Sequence, residues 1–127
     1  MRIIPNSKSD DEACENLSRV TDAEIIPYIY ELLEWLQDIN WPVAQHVAER
    51  LSKLGLELVE PILVVLNGTD EVWKYWIVSH LLYMVNDQVY QSLELKLRRM
   101  KSQPTQSEIK EEVYEAVCEL LYTQKQV

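Results

Sequence analysis

Two histidines are the residues in this chain with the broadest chemical capability. His46 and His80 occupy comparable places in two related helical segments, and a pair of imidazoles can bind a metal or transfer protons. A metal site needs further ligands, and the spacing supplies no third one beside either histidine. The chain also lacks a nucleophile elbow, a paired-carboxylate motif and a glycine-rich phosphate loop. We therefore expect no metal and no cofactor, and structural histidines are the favoured interpretation.

A second cluster combines aromatic and charged residues at the starts of two predicted helices. The segments 38–41 and 70–74 can be aligned, and stacking of successive helical units would bring them side by side. Tryptophan is favoured at protein interfaces because it buries a large area with few rotatable bonds. The pattern therefore predicts a recognition surface. The candidate binding residues, with the two histidines, are Asp38, Asn40, Trp41, Asp70, Trp73, Lys74, His46 and His80.

The same residues also admit a structural interpretation. Asp38 and Asp70 can cap helices, and tryptophans can fill a core that contains no phenylalanine. The core interpretation is favoured for three tryptophans, namely Trp35, Trp73 and Trp76. For Trp41 the two alternatives are evenly balanced. Lys74 is expected at a solvated position on its helix.

The charge balance disfavours some classes of partner. The chain has 21 acidic and 12 basic residues, a formal net charge of -9 and a sequence pI near 4.6. Most of its surface would therefore repel a phosphate backbone, and we expect no nucleic-acid partner. The acidic first half could bind a basic protein partner, but solvated helix faces are the favoured interpretation. Basic residues cluster later, at Lys96, Arg98, Arg99 and Lys101.

Location is predicted from what the apolar stretches and the cysteines allow. The longest apolar runs fall far short of the roughly 20 residues that cross a bilayer. Residues 1–5 lack the pattern of a secretory signal. Cys14 and Cys118 lie near opposite ends of the chain without metal-ligand spacing, which is typical of thiols in a reducing compartment. We expect a cytoplasmic protein with no membrane partner.

Apolar spacing predicts one all-α domain that covers residues 1–127. The chain contains only two glycines and five prolines, too few turn formers for the many hairpins of a β-sandwich or barrel. Seven helices are predicted, over residues 10–19, 21–36, 40–54, 56–66, 70–85, 88–101 and 108–123. The fifth is apolar on nearly every side and should be the packing centre.

Several local features of these helices are also predicted. Pro27 should kink the second helix or delay its start. Asn40 should cap the third helix, and Gly55 should end it in a left-handed conformation. The seventh helix should carry a solvated acidic face that begins at Glu108, opposite an apolar face that begins at Ile109.

Two segments carry an internal repeat and a family resemblance. Pro27 and Pro61 each stand near a helix start, about 34 residues apart, which is within the range of repeat architectures. Residues 31–44 and 70–79 resemble the two signature segments of the bacterial family known as domain of unknown function 5071. The resemblance implies a short HEAT-like stack of antiparallel helix pairs, six or seven helices in all. It brings no established activity.

The sequence leaves two functions open. The favoured one is a non-enzymatic protein–protein interaction module, such as an adaptor or an immunity-type inhibitor of a basic toxin. The alternative is a small-molecule or metal-dependent enzyme with a pocket on the concave face of the stack. That pocket would lie near His46, His80, Asp38 and Lys74.

Overall fold

Helices make up the regular structure of residues 1–125, which are the residues that the computed structural model describes. Within them the α-helices are Asp11–Arg19 (α1), Asp22–Ile25 (α2), Ile29–Leu33 (α3), Pro42–Ser52 (α4), Val59–Leu66 (α5), Glu71–Ser79 (α6), Asp87–Ser102 (α7), Gln106–Lys110 (α8) and Val113–Lys125 (α9). Short 3-10 turns lie at Ile26–Tyr28, Glu34–Leu36, Leu56–Leu58 and Leu81–Tyr83. The all-α prediction is confirmed, while the HEAT-like arrangement of helix pairs stays a prediction.

Side chains at the helix starts determine where several of these helices begin. Asp10 caps α1 and Asp70 caps α6, each by accepting a backbone N–H from three residues onward at 3.1 Å. Thr105 and Glu108 form a reciprocal capping box at the start of α8. Each contact satisfies an N–H that has no partner inside its helix, so the local sequence sets these boundaries.

The second predicted helix is interrupted at Pro27, as expected. Pro27 lies in the 3-10 turn Ile26–Tyr28, which joins α2 to α3. Proline has no N–H to donate, and its ring crowds the preceding turn, so a regular α-helix does not continue through this position.

The third helix begins and ends differently from the prediction. Trp41, not Asn40, occupies the cap position, and Pro42 starts α4 because its fixed φ suits the first helical turn. Gly55 has a φ of -102°, so the predicted left-handed conformation is wrong. The chain leaves α4 through Lys53 in a right-handed conformation, which any residue can adopt.

The fifth predicted helix stops earlier than its apolar pattern indicates. The helix α6 ends at Ser79, and His80 takes φ -127° and ψ -66° before the next 3-10 turn begins. The Ser79 hydroxyl donates to the Tyr75 carbonyl four residues earlier at 2.7 Å, a local contact of the kind that bends helices.

The last predicted helix is in fact two helices, α8 and α9. Glu112 separates them with a φ of 69°, which L residues seldom adopt and which breaks the helix. Glu111 and Glu115 are exposed as predicted, but Glu108 is buried because it caps α8 and contacts Lys74. Ile109, which was expected on the apolar face, is exposed since it lies on α8 and not on α9.

Two helices organise the packing of the core. The helix α6 packs most extensively against α9 and also contacts α5 and the turn Glu34–Leu36. These contacts agree with the prediction that this segment is the packing centre. The helix α4 packs against α1, α3 and the same turn, a second centre that the sequence pattern did not predict. No helix in the described part of the chain combines the length and the apolar character needed to cross a membrane.

Candidate functional site

Trp35 and Trp41 form an aromatic pair at the surface. Their rings meet edge to face, with 5.7 Å between the ring centroids and 69° between the ring planes. Trp35 belongs to the 3-10 turn Glu34–Leu36, and Trp41 directly precedes α4. Both side chains are half-buried and pack against the core, so each is held in place while part of it remains exposed.

A short turn before α4 positions Trp41. The Asp38 carboxylate accepts the Asn40 backbone N–H at 2.9 Å, and the Trp41 backbone N–H donates to the Asp38 carbonyl at 3.1 Å. Aspartate favours such turns because its short side chain can accept a backbone N–H two residues on. In this structure Asp38 and Asn40 therefore orient Trp41.

Two open depressions adjoin each other beside this tryptophan pair. The first, of about 320 Å³, is lined by Ile4, Glu31, Glu34, Trp35, Gln37 and Trp41. The second, of about 520 Å³, is lined by Met1, Arg2, Ile3, Ile4, Glu24, Pro27 and Tyr28. Ile4 belongs to both, and we call the combined area the tryptophan surface.

Carboxylates border the tryptophan surface. Glu24, Glu31 and Glu34 are all exposed, and none of them forms an ion pair with a side chain of residues 1–124. The Lys8 ammonium lies 5.2 Å from the centroid of the Trp41 ring, while Arg2, which also lines the surface, is paired with Asp10 and Glu12. The surface thus combines apolar area with unpaired negative charge.

The N-terminal segment, residues 1–9, completes the surface without forming a helix. Ile3 is buried, and the Asn16 side chain donates to the Arg2 carbonyl at 2.7 Å. The Val43 backbone N–H, in the first turn of α4, donates to the Lys8 carbonyl at 3.0 Å. These contacts fix the backbone of Lys8 beside α4 and leave its side chain exposed.

The other aligned segment, residues 70–74 at the start of α6, takes part in packing. The Trp73 indole N–H donates to the Leu33 carbonyl at 2.9 Å. This contact joins the start of α6 to the segment that carries Trp35, while Asp70 caps the helix. Neither Asp70 nor Trp73 lines the tryptophan surface. The segment 70–74 is therefore attached to the end of α3, whereas the segment 38–41 borders the tryptophan surface.

Lys74 lies in a buried ion cluster, so its predicted solvated position is wrong. Its ammonium is 3.0 Å from a Glu71 carboxylate oxygen and 3.1 Å from a Glu108 carboxylate oxygen. Lys74 is only 3% exposed, and Glu108 of α8 supplies a carboxylate that compensates its buried charge. The second oxygen of Glu71 is buried without a hydrogen-bond donor in the described part of the chain.

The pKa is lowered both for Glu108, a member of the ion cluster, and for Lys96. Burial alone would raise the pKa of Glu108, but hydrogen bonds from Thr105 and Lys74, together with the Lys74 charge, outweigh burial and lower it. The pKa of Lys96 is also lowered, by burial and by the charges of Arg99 and Lys74, against the opposite influence of Glu108.

The two histidines lie in different surroundings. His46 is exposed on α4 and lines a depression of about 320 Å³ together with residues such as Cys14 and Arg50. His80 is half-buried at the end of α6. Among residues 1–125, no group of three histidine, cysteine, aspartate or glutamate side chains is arranged to hold a metal ion.

The fold and this surface describe a small all-helical protein with an exposed aromatic and acidic area. A family model matches residues 3–121, and the chain therefore belongs to the family described as Domain of unknown function (DUF5071). This match confirms the family predicted from the sequence. No curated protein sequence matches the chain. The family description assigns no activity, so a proposal on function depends on the residues themselves.

Proposed function

We propose that this protein is a non-enzymatic binding module whose tryptophan surface recognises a basic segment of another protein. The observation that carries the proposal is the half-buried Trp35–Trp41 pair beside the unpaired carboxylates of Glu31 and Glu34. An exposed aromatic pair held by the core is suited to binding, because little conformational freedom is lost when a partner covers it.

The charge of this area favours a basic partner over an acidic or neutral one. Glu24, Glu31 and Glu34 line this surface, and the whole chain carries a formal net charge of -9. Complementary charge speeds encounter and rejects partners of like charge. A basic segment with apolar side chains would match both the carboxylates and the apolar lining of Ile4 and Tyr28.

The proposal extends to how such a module would be used. A HEAT-like stack of helix pairs in the cytoplasm would present this surface as an adaptor or as an immunity-type inhibitor of a basic toxin. The alternative of an enzyme has less support, because its four candidate residues have different surroundings. His46 is exposed on α4, His80 is half-buried at the end of α6, Asp38 orients Trp41, and Lys74 is buried in the ion cluster.

Site-specific photo-crosslinking in the cells that naturally produce the protein tests this proposal. A photo-crosslinking amino acid at position 31 lies within the tryptophan surface, and one at position 95 is a matched control on α7, where Leu95 is 76% exposed. We expect a discrete crosslinked partner from position 31 that is absent from position 95. The partner should carry a basic segment at the crosslinked site.

The Trp41→Ala variant completes the crosslinking test. Removing this ring should abolish the product from position 31, since central aromatic contacts often contribute about 2 kcal/mol or more to binding. If position 31 gives no product, the same products as position 95, or products unaffected by Trp41→Ala, the proposed binding surface is wrong.

A further inference from the structure

We propose that Lys8 is an internal occupant of a cation-binding position on Trp41, and that a lysine or arginine of the partner displaces it. This inference rests on the proposed function, since it identifies the chemistry that the tryptophan surface recognises. It also makes residues 1–9 part of how binding is regulated, because the protein's own cation competes with the partner's.

The geometry at Trp41 supports an exchangeable contact. The Lys8 ammonium lies 5.2 Å from the ring centroid, within the range in which the negative face of an indole attracts a cation. Within residues 1–125, Lys8 forms no ion pair with a carboxylate, so the ring is its identified partner. The side chain is exposed and can move away without uncovering a buried charge.

The backbone of Lys8 does not need to move for this exchange. The Lys8 carbonyl accepts the Val43 backbone N–H at 3.0 Å, and this hydrogen bond is independent of the side chain. Rotation about the side-chain bonds alone therefore exposes the Trp41 face. Such rotation in exposed residues is fast, so Lys8 would not impede the binding rate.

The charges around Trp41 explain why a partner's cation would replace Lys8. Trp41 shares its depression with Glu31 and Glu34, neither of which has an ion-pair partner among the described residues. A basic segment laid across this depression could place one cation on the ring and others beside these carboxylates. Lys8 is a single charge, so it satisfies only one of these positions.

Titration with a synthetic amphipathic peptide of lysine and leucine tests the inference. Binding to the full chain would be measured by calorimetry for the wild type and for Lys8→Ala, Lys8→Arg and Trp41→Ala. Lys8→Ala should bind the peptide roughly two- to fivefold more tightly, the range expected when competition from one exposed cation–π contact is removed. Lys8→Arg should bind like the wild type, since a guanidinium also occupies the ring. Trp41→Ala should bind more weakly.

A charge control separates displacement from the general effect of removing a lysine. Lys53 is exposed at the end of α4 and does not line the tryptophan surface. Lys53→Ala removes the same charge and should leave peptide affinity near the wild-type value. If Lys53→Ala tightens binding as much as Lys8→Ala does, the Lys8 proposal is overturned. A cooperative thermal unfolding transition well above the titration temperature verifies that each variant is folded.

The outcomes for the two proposals are distinguishable. If Trp41→Ala weakens binding but Lys8→Ala does not strengthen it, the tryptophan surface stands and the Lys8 inference fails. If the wild type and Trp41→Ala bind equally, or if neither binds, the proposed function of the surface fails as well. A peptide with glutamate in place of lysine should not bind, and equal binding of that peptide would contradict recognition by charge.

Discussion

Lys8 and Lys74 both lie close to tryptophan-bearing segments, yet their surroundings are opposite. Lys8 is exposed, and its ammonium lies over the ring of Trp41. Lys74 is 3% exposed, and its ammonium contacts the carboxylates of Glu71 and Glu108. One residue type thus makes a surface contact in one region and a buried ion cluster in the other.

The difference shows which of the two regions is available to a partner. A cation–π contact at an exposed site contributes about 0.5 to 1 kcal/mol, so it can be exchanged for a similar contact. Removing one member of a buried ion pair costs about 3 to 5 kcal/mol, because the other charge is left uncompensated. The tryptophan surface is suited to binding, whereas the ion cluster maintains the fold.

The largest expected effect is the loss of stability in Lys74→Ala. This change leaves Glu71 and Glu108 buried without their cation, and the free energy of unfolding should fall by about 3 to 5 kcal/mol. Lys74→Met retains most of the packing volume and should lose nearly as much, since the missing charge dominates. Chemical denaturation measures both variants. The exposed control Lys53→Ala should change stability by no more than about 0.5 kcal/mol, and an equally small effect of Lys74→Ala would contradict the ion cluster.

A smaller effect distinguishes the tryptophan that packs from the one at the surface. Trp73→Phe keeps an aromatic ring but loses the indole hydrogen bond to the Leu33 carbonyl, which should cost about 1 to 2 kcal/mol. Trp41→Phe should cost about 1 kcal/mol less than Trp73→Phe, because both rings are half-buried but the Trp41 indole N–H has no hydrogen-bond acceptor within residues 1–124. Urea denaturation measures the free energy of unfolding of both variants. A larger loss for Trp41→Phe than for Trp73→Phe would contradict this difference between the two tryptophans.

The smallest expected effect is the pH-dependent part of the stability. The pKa of Glu108 is lowered in the folded protein, so its ionised form stabilises the fold at neutral pH. That contribution is lost as the pH falls below the unfolded value of about 4.3 and through the lower folded value. The charged groups near Glu108 are Lys74 and Lys96, and Lys74 also contacts the carboxylate of Glu71.

The Glu108→Gln variant isolates this contribution. The free energy of unfolding of the wild type should exceed that of Glu108→Gln at neutral pH, and the difference should shrink as acid is added. A difference that stays constant down to about pH 3, below the ordinary glutamate pKa, would show that Glu108 is not stabilised in its ionised form.

The sequence predicted the fold class, the family and the bounds of several helices because these depend on local patterns. The cap at Asp70 and the interruption at Pro27 follow from nearest neighbours in the chain. The ion cluster could not be predicted in this way, since Lys74 and Glu108 are 34 residues apart. The local sequence around a helical lysine is the same whether its side chain is exposed to solvent or buried by a later helix.

The candidate site was predicted only in part. Trp41 was identified as a possible surface residue, and Asp38 and Asn40 were identified beside it. The contributions of Ile4 and Lys8 were missed, because residues 1–9 have no helical periodicity that would indicate which side chains face the protein. The available signal was the apolar pair Ile3 and Ile4 in an otherwise polar opening segment.

The most direct test of the account is a nuclear magnetic resonance titration of the four tryptophan indole N–H signals with the lysine and leucine peptide. Each signal is assigned by the spectrum of the corresponding Trp→Phe variant. The signals of Trp35 and Trp41 should shift as peptide is added, while that of Trp73, hydrogen-bonded to the Leu33 carbonyl, should remain in place. Shifts confined to Trp73 and Trp76, with Trp35 and Trp41 unchanged, would contradict the assignment of binding to the tryptophan surface.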